Sequence, residues 1–300
     1  MGADADGNFS GKRLVIFGCG YVGSEVARQA VARGLRVTAL TRNAAKVAAL
    51  ASGGVETVVA DLADEEWHAR IEGRADLVLN CVSSGGAGPE DYRRSYVDGM
   101  CSVLAWARDC GGPGTLVYTS STSVYPQGGG GQVDETAPTE GEGERALVLL
   151  EAERLLGERS AGVGRWFVLR LAGIYGPERH HLLDQVRAGE VSGDGGHHLN
   201  LIHRDDIVSA VWAAFGAQAN VANNVFNIAD DGAATKGEVI AWLANRLGVP
   251  RPRFTRLQAG PRRMATPDRI IVSERAKQEL GWRPRYRTFR EGYAEILRAL

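Results

Sequence analysis

Leu14-Val15-Ile16-Phe17 runs into Gly18-Cys19-Gly20-Tyr21-Val22-Gly23, and that into Ser24-Glu25-Val26-Ala27-Arg28-Gln29-Ala30. The order is apolar strand, glycine turn, helix. A dinucleotide pyrophosphate needs that order. The first glycine permits the tight turn, the second lets the backbone approach the phosphates, and the third lets helix and strand pack closely while the helix N-terminus faces the negative charge. With 39 glycines in 300 residues, a G-x-G-x-x-G spacing arises readily by chance, and a purely structural turn is the competing reading. The strand before it and the helix after it favour the dinucleotide. Gly18, Gly20, Tyr21, Val22 and Gly23 are therefore expected at a cofactor.

Working outward, apolar runs of strand length alternate with helix-period segments: Arg13 to Phe17, Arg36 to Thr41, Glu56 to Ala60, Leu77 to Val82, Leu116 to Ser120 and Phe167 to Leu171. Near-continuous apolar strands separated by helices imply a parallel sheet covered on both faces. The expected fold is α/β, a Rossmann-type doubly wound parallel sheet. Gln127 to Gly143, rich in Gly, Pro, Thr and Glu, reads as a surface loop near the carboxyl ends of the strands, the edge at which open α/β sheets bind ligands. The Gly128 to Gly131 run within it reads as a flexible loop tip rather than a phosphate cradle. After Gly176-Pro177 the alternation breaks down. We expect a dinucleotide-binding domain over 11–173 and a smaller substrate lobe over 174–300, interleaved with the last strands.

Charge is nearly balanced, 35 basic against 36 acidic residues, so no global field favours nucleic acid or an anionic membrane. Met1 to Asp6 is polar and acidic, without the apolar stretch of a signal peptide, and no later run approaches a membrane span. A cytoplasmic location is expected. Cys19, Cys81, Cys101 and Cys110 show no metal or C-x-x-C spacing and read as reduced thiols.

An acidic side chain about 20 residues past the first glycine holds the ribose 2′-hydroxyl of NAD, whereas an arginine there accommodates the 2′-phosphate of NADP. Here no Asp or Glu occurs from Val26 through Val55, and the strand ending at Thr41 is followed by Arg42, with Lys46 one turn on. This points to NADP, with NAD as the alternative; a solvated basic strand end is the plainer account. Asp61 and Leu62, after the third strand, are expected beside the adenine. The fourth strand ends in Asn80-Cys81-Val82-Ser83-Ser84, small residues that admit the cofactor backbone.

Several segments, in order, resemble the extended short-chain dehydrogenase/reductase superfamily, the NAD-dependent epimerase/dehydratase group. They are Tyr118-Thr119-Ser120-Ser121-Thr122-Ser123-Val124-Tyr125, Leu169 to Pro177, Asn200 to Asp206, Val225 to Asp230 and Glu279 to Pro284. Extended members usually carry G-x-x-G-x-x-G, and Phe17 stands where their first glycine would be. The G-x-G-x-x-G spacing and the Ser-Ser-Thr-Ser-Val-Tyr stretch are more similar to the atypical bacterial subgroup called YeeZ-like. The resemblance implies that Leu171, Ala172, Gly173 and Ile174 line the nicotinamide.

It also implies a catalytic tyrosine, a lysine four residues later on the same helix face, and a Ser or Thr that orients the substrate. Ser121 matches the serine. Placing Glu151 to Leu156 on the family's helix end puts Arg145 where the tyrosine belongs and Leu149 where the lysine belongs. Independently of any alignment, the eight tyrosines are followed four places on by Glu25, Tyr96, Met100, Thr122, Gly129, Arg179, Arg290 and Leu297, and no lysine lies between Lys46 and Lys236. A positioned general acid is worth roughly 10²–10⁴ in rate, so ordinary turnover should be weakened or carried by other residues.

Ser121 is the leading catalytic candidate, a turn or cap serine being the alternative. Tyr125 is the substitute acid to consider, although its family counterpart packs behind the site. Arg145 is either an anion contact or a solvated helix arginine. His180, His181, His197, His198 and His203 lack ligand spacing and read as loop histidines near a substrate cleft, and no metal site is expected. Trp106, Trp166, Trp212 and Trp242 read as core. Two functions remain open. One is an oxidoreductase or epimerase-like enzyme acting on a small polar molecule, with a nucleotide sugar as one candidate and a homodimer as the candidate assembly. The other is a binding protein that senses NADP or a metabolite without catalysis.

Overall fold

The computed structural model describes residues 9–84, 86, 88–139, 143–221, 223–255 and 267–300; the acidic N-terminal hexapeptide and part of the expected 127–143 loop lie outside the described residues. Seven strands pair in parallel: β1 (Arg13–Phe17), β2 (Arg36–Thr41), β3 (Val55–Val59), β4 (Leu77–Asn80), β5 (Thr115–Ser121), β6 (Arg165–Leu171) and β7 (Asn224–Ile228). Their order across the sheet is β7-β6-β5-β4-β1-β2-β3. The chain builds outward from β1 to β3, then crosses back to β4 on the other side of β1. That reversal creates a crevice at the carboxyl ends of β1 and β4, where an open α/β sheet takes its ligand. The doubly wound reading thus holds, with strand ends one or two residues from those expected. β4 stops at Asn80 because only Cys81 N–H continues its ladder, donating to Phe17 O at 2.9 Å, before the chain turns over Gly18.

The strands are apolar on both sides because both faces are covered. On one face the helix Gly23–Ala32 buries Val26, Ala27 and Ala30, and the helix Arg204–Phe215 buries Ile207, Val211 and Trp212. On the other, Trp106 of Gly99–Asp109 and Leu155 of Glu144–Arg159 close over Phe17, Leu40 and Tyr118. Trp106 and Trp212 are core as expected; Trp166 and Trp242 are only half-buried.

A third apolar cluster lies beyond the sheet, joining Tyr175 to Leu183, Ile240, Leu243, Phe289 and Tyr293. Its segments follow Gly173, but Asn224–Ile228 returns from among them to pair with β6, Ile228 opposite Leu171. The Gly128–Gly131 run is tied down: Gly130 N–H donates to Asp268 O at 2.8 Å, and Gln132–Val133 pairs with Ile270–Ile271. Among the described residues no helix is long and apolar enough to cross a membrane.

Candidate active site

The glycine turn is fixed by packing. Gly18 has φ +93°, and a Cβ there would stand 2.7 Å from the Val82 backbone. At Gly23 it would stand 2.4 Å from Gly18 O and 3.0 Å from Cys81 Sγ. Neither position admits a side chain. At Gly20 nothing lies within 4 Å of the same point, so the protein's own packing leaves that space open. The helix that follows, Gly23–Ala32, has Val22 at its N-cap and no side chain capping its first amides. Of its first amides, those of Ser24 and Glu25 donate to Gly20 O and Val22 O at 3.1 Å, while the positive end of the helix faces the turn, where an anion is favoured.

Beside the turn, Gly18, Gly20, Arg42, Asp61, Leu62, Cys81, Val82 and Ser83 line one groove of about 240 Å³. Those eight were all expected from the sequence. Arg42 reaches across it, Nη2 donating to Ser83 O at 3.2 Å. Lys46 stands on the same wall, together with Asn43, whose Oδ1 accepts the Ala45 amide at 3.0 Å and so holds the basic turn in shape. Asp61 points one oxygen at the Ala63 amide and the other at Arg94, 3.0 and 3.3 Å away. Asn43 and Ser95 were not foreseen; Ser95 arrives from a helical segment with no motif to mark it. Cys19 and Cys81 also line the groove, but burial raises both thiols above the ordinary cysteine range. They stay protonated and are not nucleophiles. The helix N-terminus, the unfilled space at Gly20 and the basic wall fit a dinucleotide phosphate group.

Tyr21 and Val22 sit at the helix start and not in the groove wall. The Tyr21 hydroxyl donates to Pro177 O at 2.7 Å, and the guanidinium groups of Arg204 and Arg179 lie 5.2 and 5.7 Å from its ring. The glycine turn is thereby tied to the segment after Gly176.

Ser121 and Leu171 face each other in register at the ends of β5 and β6. Ser121 Oγ accepts the Ser123 amide at 3.1 Å and caps the short turn Thr122–Val124, leaving its proton to donate. The capping bond thus does not use up the hydroxyl. Ala172 is buried, donating to Ile228 O at 3.0 Å, while Gly173 is exposed and Ile174 half-buried on the same edge.

Tyr125 is not brought to this edge. It is 1% exposed, its hydroxyl donates to Asn227 Oδ1 at 2.8 Å, and the same oxygen accepts from Arg170 Nη1 at 2.9 Å. Arg170 is held in turn by Glu153, 2.6 Å away and equally buried. A phenol clamped in this way is a structural strut, so the expectation of Tyr125 as substitute acid is corrected. Leu149 is 1% exposed in the core. Arg145 is exposed, a solvated helix arginine whose guanidinium also lies 5.5 Å from the ring of Tyr92. His203 is another correction: 1% exposed, it caps the helix Arg204–Phe215 by accepting the Asp205 amide at 3.2 Å, and no cleft receives it. Among the described residues no group of three metal-ligating side chains converges.

A model of the NAD dependent epimerase/dehydratase family matches residues 14–229. Among curated relatives, the chain is 28% identical to Protein YeeZ of Escherichia coli K12 over 282 residues, covering 92% of this chain and 96% of that one. It is also 28% identical to a 3-diazoavenalumate denitrifying reductase of a Streptomyces species over 309 residues, 93% of this chain and 98% of that one. Among solved structures it superposes on a UDP-glucose 4-epimerase with UDP-glucose from Thermotoga maritima with a TM-score of 0.82 at 19% identity, over 96% and 99% of the two chains.

Proposed function

The chain belongs to the NAD dependent epimerase/dehydratase family, and from that premise we propose that it is an NADP(H)-using oxidoreductase or epimerase-like enzyme acting on a small polar carbonyl or alcohol. The observation that carries this reading is the shared edge. The groove beside Gly20 and the Ser121–Leu171 pair lie at the carboxyl ends of neighbouring strands. A dinucleotide anchored at one would bring its reacting end to the other. When bound, the nicotinamide supplies or takes up hydride. In this reading Gly18, Gly20, Gly23 and the helix amides hold the pyrophosphate, and Asp61 and Leu62 lie by the adenine. Arg42, with Lys46 near it, takes the 2′-phosphate, Leu171 to Ile174 line the nicotinamide, and Ser121 donates to the substrate oxygen.

NADP over NAD is supported by Arg42 and Lys46 in the groove, by the absence of Asp or Glu from Val26 through Val55, and by charge-assisted hydrogen bonding of arginine to phosphate. A nucleotide sugar is supported as substrate class by the Thermotoga maritima UDP-glucose 4-epimerase, which was solved with UDP-glucose. The division at 173/174 is supported by the separate apolar cluster around Tyr175, which would form the substrate lobe. A cytoplasmic setting is supported by the four free cysteines.

A second reading, a non-catalytic NADP(H) sensor, is favoured by one observation: Leu149 is core, so the helix offers no ammonium to a ribose. One experiment separates the two. NADPH oxidation is followed against a broad carbonyl panel, with Ser121→Ala alongside. The enzyme reading expects a substrate-dependent absorbance change that falls at least tenfold in the variant. Cofactor binding without hydride transfer across the panel, accompanied by a cofactor-dependent change of shape, establishes the sensor instead.

A further inference from the structure

Two tyrosines four residues apart, Tyr92 and Tyr96, project from consecutive helical segments, the α-helix Pro89–Arg93 and the π turn Arg94–Asp98. A π turn inserts a residue into the helical ladder and re-aims the side chains beside it, and such turns occur often at functional sites. The two rings lie 4.5 Å apart, tilted by 49°. Both pack against the apolar cores of both sheet faces. A side chain can touch both cores only from an edge of the sheet. The edge is the carboxyl one: Ser84, just past the end of β4, and Tyr92 both favour the ionised form of the Tyr96 phenol. Ser83 and Ser95, the chain neighbours of Ser84 and Tyr96, both line the dinucleotide groove. Over the Tyr92 ring stands the guanidinium of Arg145 at 5.5 Å, the residue that occupies the helix position where the family carries its tyrosine.

We infer that Tyr96 is the proton donor of this site, with Arg145 as the cation beside it and Tyr92 as its proton link to solvent. A phenol and a fixed positive charge are thus assembled from two helices, in place of a pair carried on one. The inference rests on the reductase reading above and names the acid that reading lacks.

Its chemistry balances. A substrate carbonyl carbon takes hydride from C4 of the reduced nicotinamide while its oxygen takes the Tyr96 phenol proton. The new C–H and O–H bonds replace the carbonyl π bond, the nicotinamide C4–H bond and the phenol O–H bond; the carbonyl is reduced and the nicotinamide oxidised. The phenolate regains a proton from Tyr92, and Tyr92 from water. Arg145 and the Ser84 amide stabilise the transient phenolate. At rest the phenol stays protonated, since burial raises Tyr96 above the ordinary tyrosine value more than Ser84, Tyr92 and Arg145 lower it. That is the form a donor needs.

The test reads the phenol directly and needs no substrate. Tyrosinate absorbance is titrated on the full chain saturated with NADP⁺ and, separately, with NADPH, the calorimetric affinity of each being measured first. The ionisable and charged groups facing Tyr96 are Tyr92, Arg145 and, from β5, Tyr118. A phenol beside the reacting ring feels the positive charge of the oxidised nicotinamide, so one tyrosine should titrate at least about one pH unit lower with NADP⁺ than with NADPH. The difference should vanish in Tyr96→Phe and persist in Tyr125→Phe. Arg145→Leu should move the same phenol upward by about half a unit or more without cofactor. Identical titrations with both bound cofactors, or a difference that survives Tyr96→Phe, overturn the assignment while leaving the dinucleotide reading intact. Failure of either cofactor to bind overturns that reading, and the assignment with it.

Discussion

The glycine turn and the helix Glu144–Arg159 flank the same crevice, yet they determine their residues in different ways. At Gly18 and Gly23 an added methyl would meet backbone atoms at 2.7 and 2.4 Å. Function there is written in the main chain, and any change breaks packing before it alters chemistry. On the helix, Arg145 and Leu149 are the residues that the family resemblance sets against its catalytic pair, and the helix is intact from Glu144 to Arg159. A helix face accepts most side chains that pack, so chemistry held in side chains can be exchanged without cost to the fold. The proposed function therefore keeps the anchoring end of the site in the main chain and rewrites the reacting end in side chains.

The sharpest way to break this comparison lies within the glycine turn itself. Gly20 has open space around it, unlike its two neighbours, so Gly20→Val should fold normally while losing at least about 100-fold in NADP(H) affinity, because the side chain fills the path of the pyrophosphate. Gly18→Ala and Gly23→Ala should instead lower the melting temperature, as the displaced atoms are backbone. Calorimetry beside thermal unfolding separates the outcomes. If Gly20→Val binds NADP as the parent does, the phosphates sit elsewhere.

The helix can be pushed the other way. Leu149 is 1% exposed, and Leu149→Lys places an ammonium among apolar side chains, the carboxylate one turn on, Glu153, being already held by Arg170. A cost of about 3 kcal/mol or more in unfolding free energy is expected, the scale of an uncompensated buried charge. Chemical denaturation reads it. A loss below about 1 kcal/mol would mean that the lysine reaches the crevice, and that the rewritten end is still open to reversal.

These contrasts also explain what the sequence revealed. Strand positions and both sides of the dinucleotide groove were legible, because glycine spacing, apolar runs and the Arg42 position are local patterns. The position of Ser121 at the end of β5 was legible, and so was its alternative as a cap, which its bond to Ser123 bears out. Tyr125 misled because its partners Arg170, Asn227 and Glu153 come from 28 to 102 residues away in the chain, as does the burial that makes it a strut. His203 misled likewise: a histidine in a loop-like stretch gives no sign that tertiary packing will bury it as a helix cap. Tyr92 and Tyr96 were visible only as an i, i+4 pair, and nothing local shows that Arg145 packs on them.

A smaller effect tests the anchoring end for cofactor choice. Arg42 is exposed and its one described hydrogen bond goes to Ser83 O, so Arg42→Ala should leave folding untouched. It should reduce the preference for NADP over NAD by about 1.5–3 kcal/mol, the worth of a charge-assisted hydrogen bond. Parallel titrations with the two cofactors measure it. Equal affinities in the parent protein remove the 2′-phosphate role altogether.

The smallest net effect concerns how the anchoring end depends on what lies behind it. The Tyr21 hydroxyl donates to Pro177 O at 2.7 Å, and a Cβ on the preceding Gly176 would stand 3.4 Å from His203 Nε2, so the segment that holds the glycine turn runs past two buried titratable groups, His203 and Asp206. Burial, opposed by Asp205, lowers His203 to about 4 from an ordinary 6.5. Between pH 6.5 and 4 the unfolded chain takes a proton that the folded histidine refuses, and stability falls by about 3 kcal/mol. Burial, opposed by the amides of Arg285 and Tyr286, raises Asp206 to about 6 from 3.8. As pH falls through 6 toward 4 the folded carboxylate takes its proton first, and stability rises by about 3 kcal/mol. The two cancel to within about 1 kcal/mol in the parent. Removing either exposes the other: relative to the parent, His203→Gln should gain stability on acidification from pH 6.5 to 4.5, and Asp206→Asn should lose it. Urea midpoints at the two pH values decide the matter, and slopes unchanged in both variants would show that neither group titrates differently in the folded chain. If the slopes move as expected while NADP(H) affinity at each pH follows only the folded fraction, the turn needs the pair for support and not for binding.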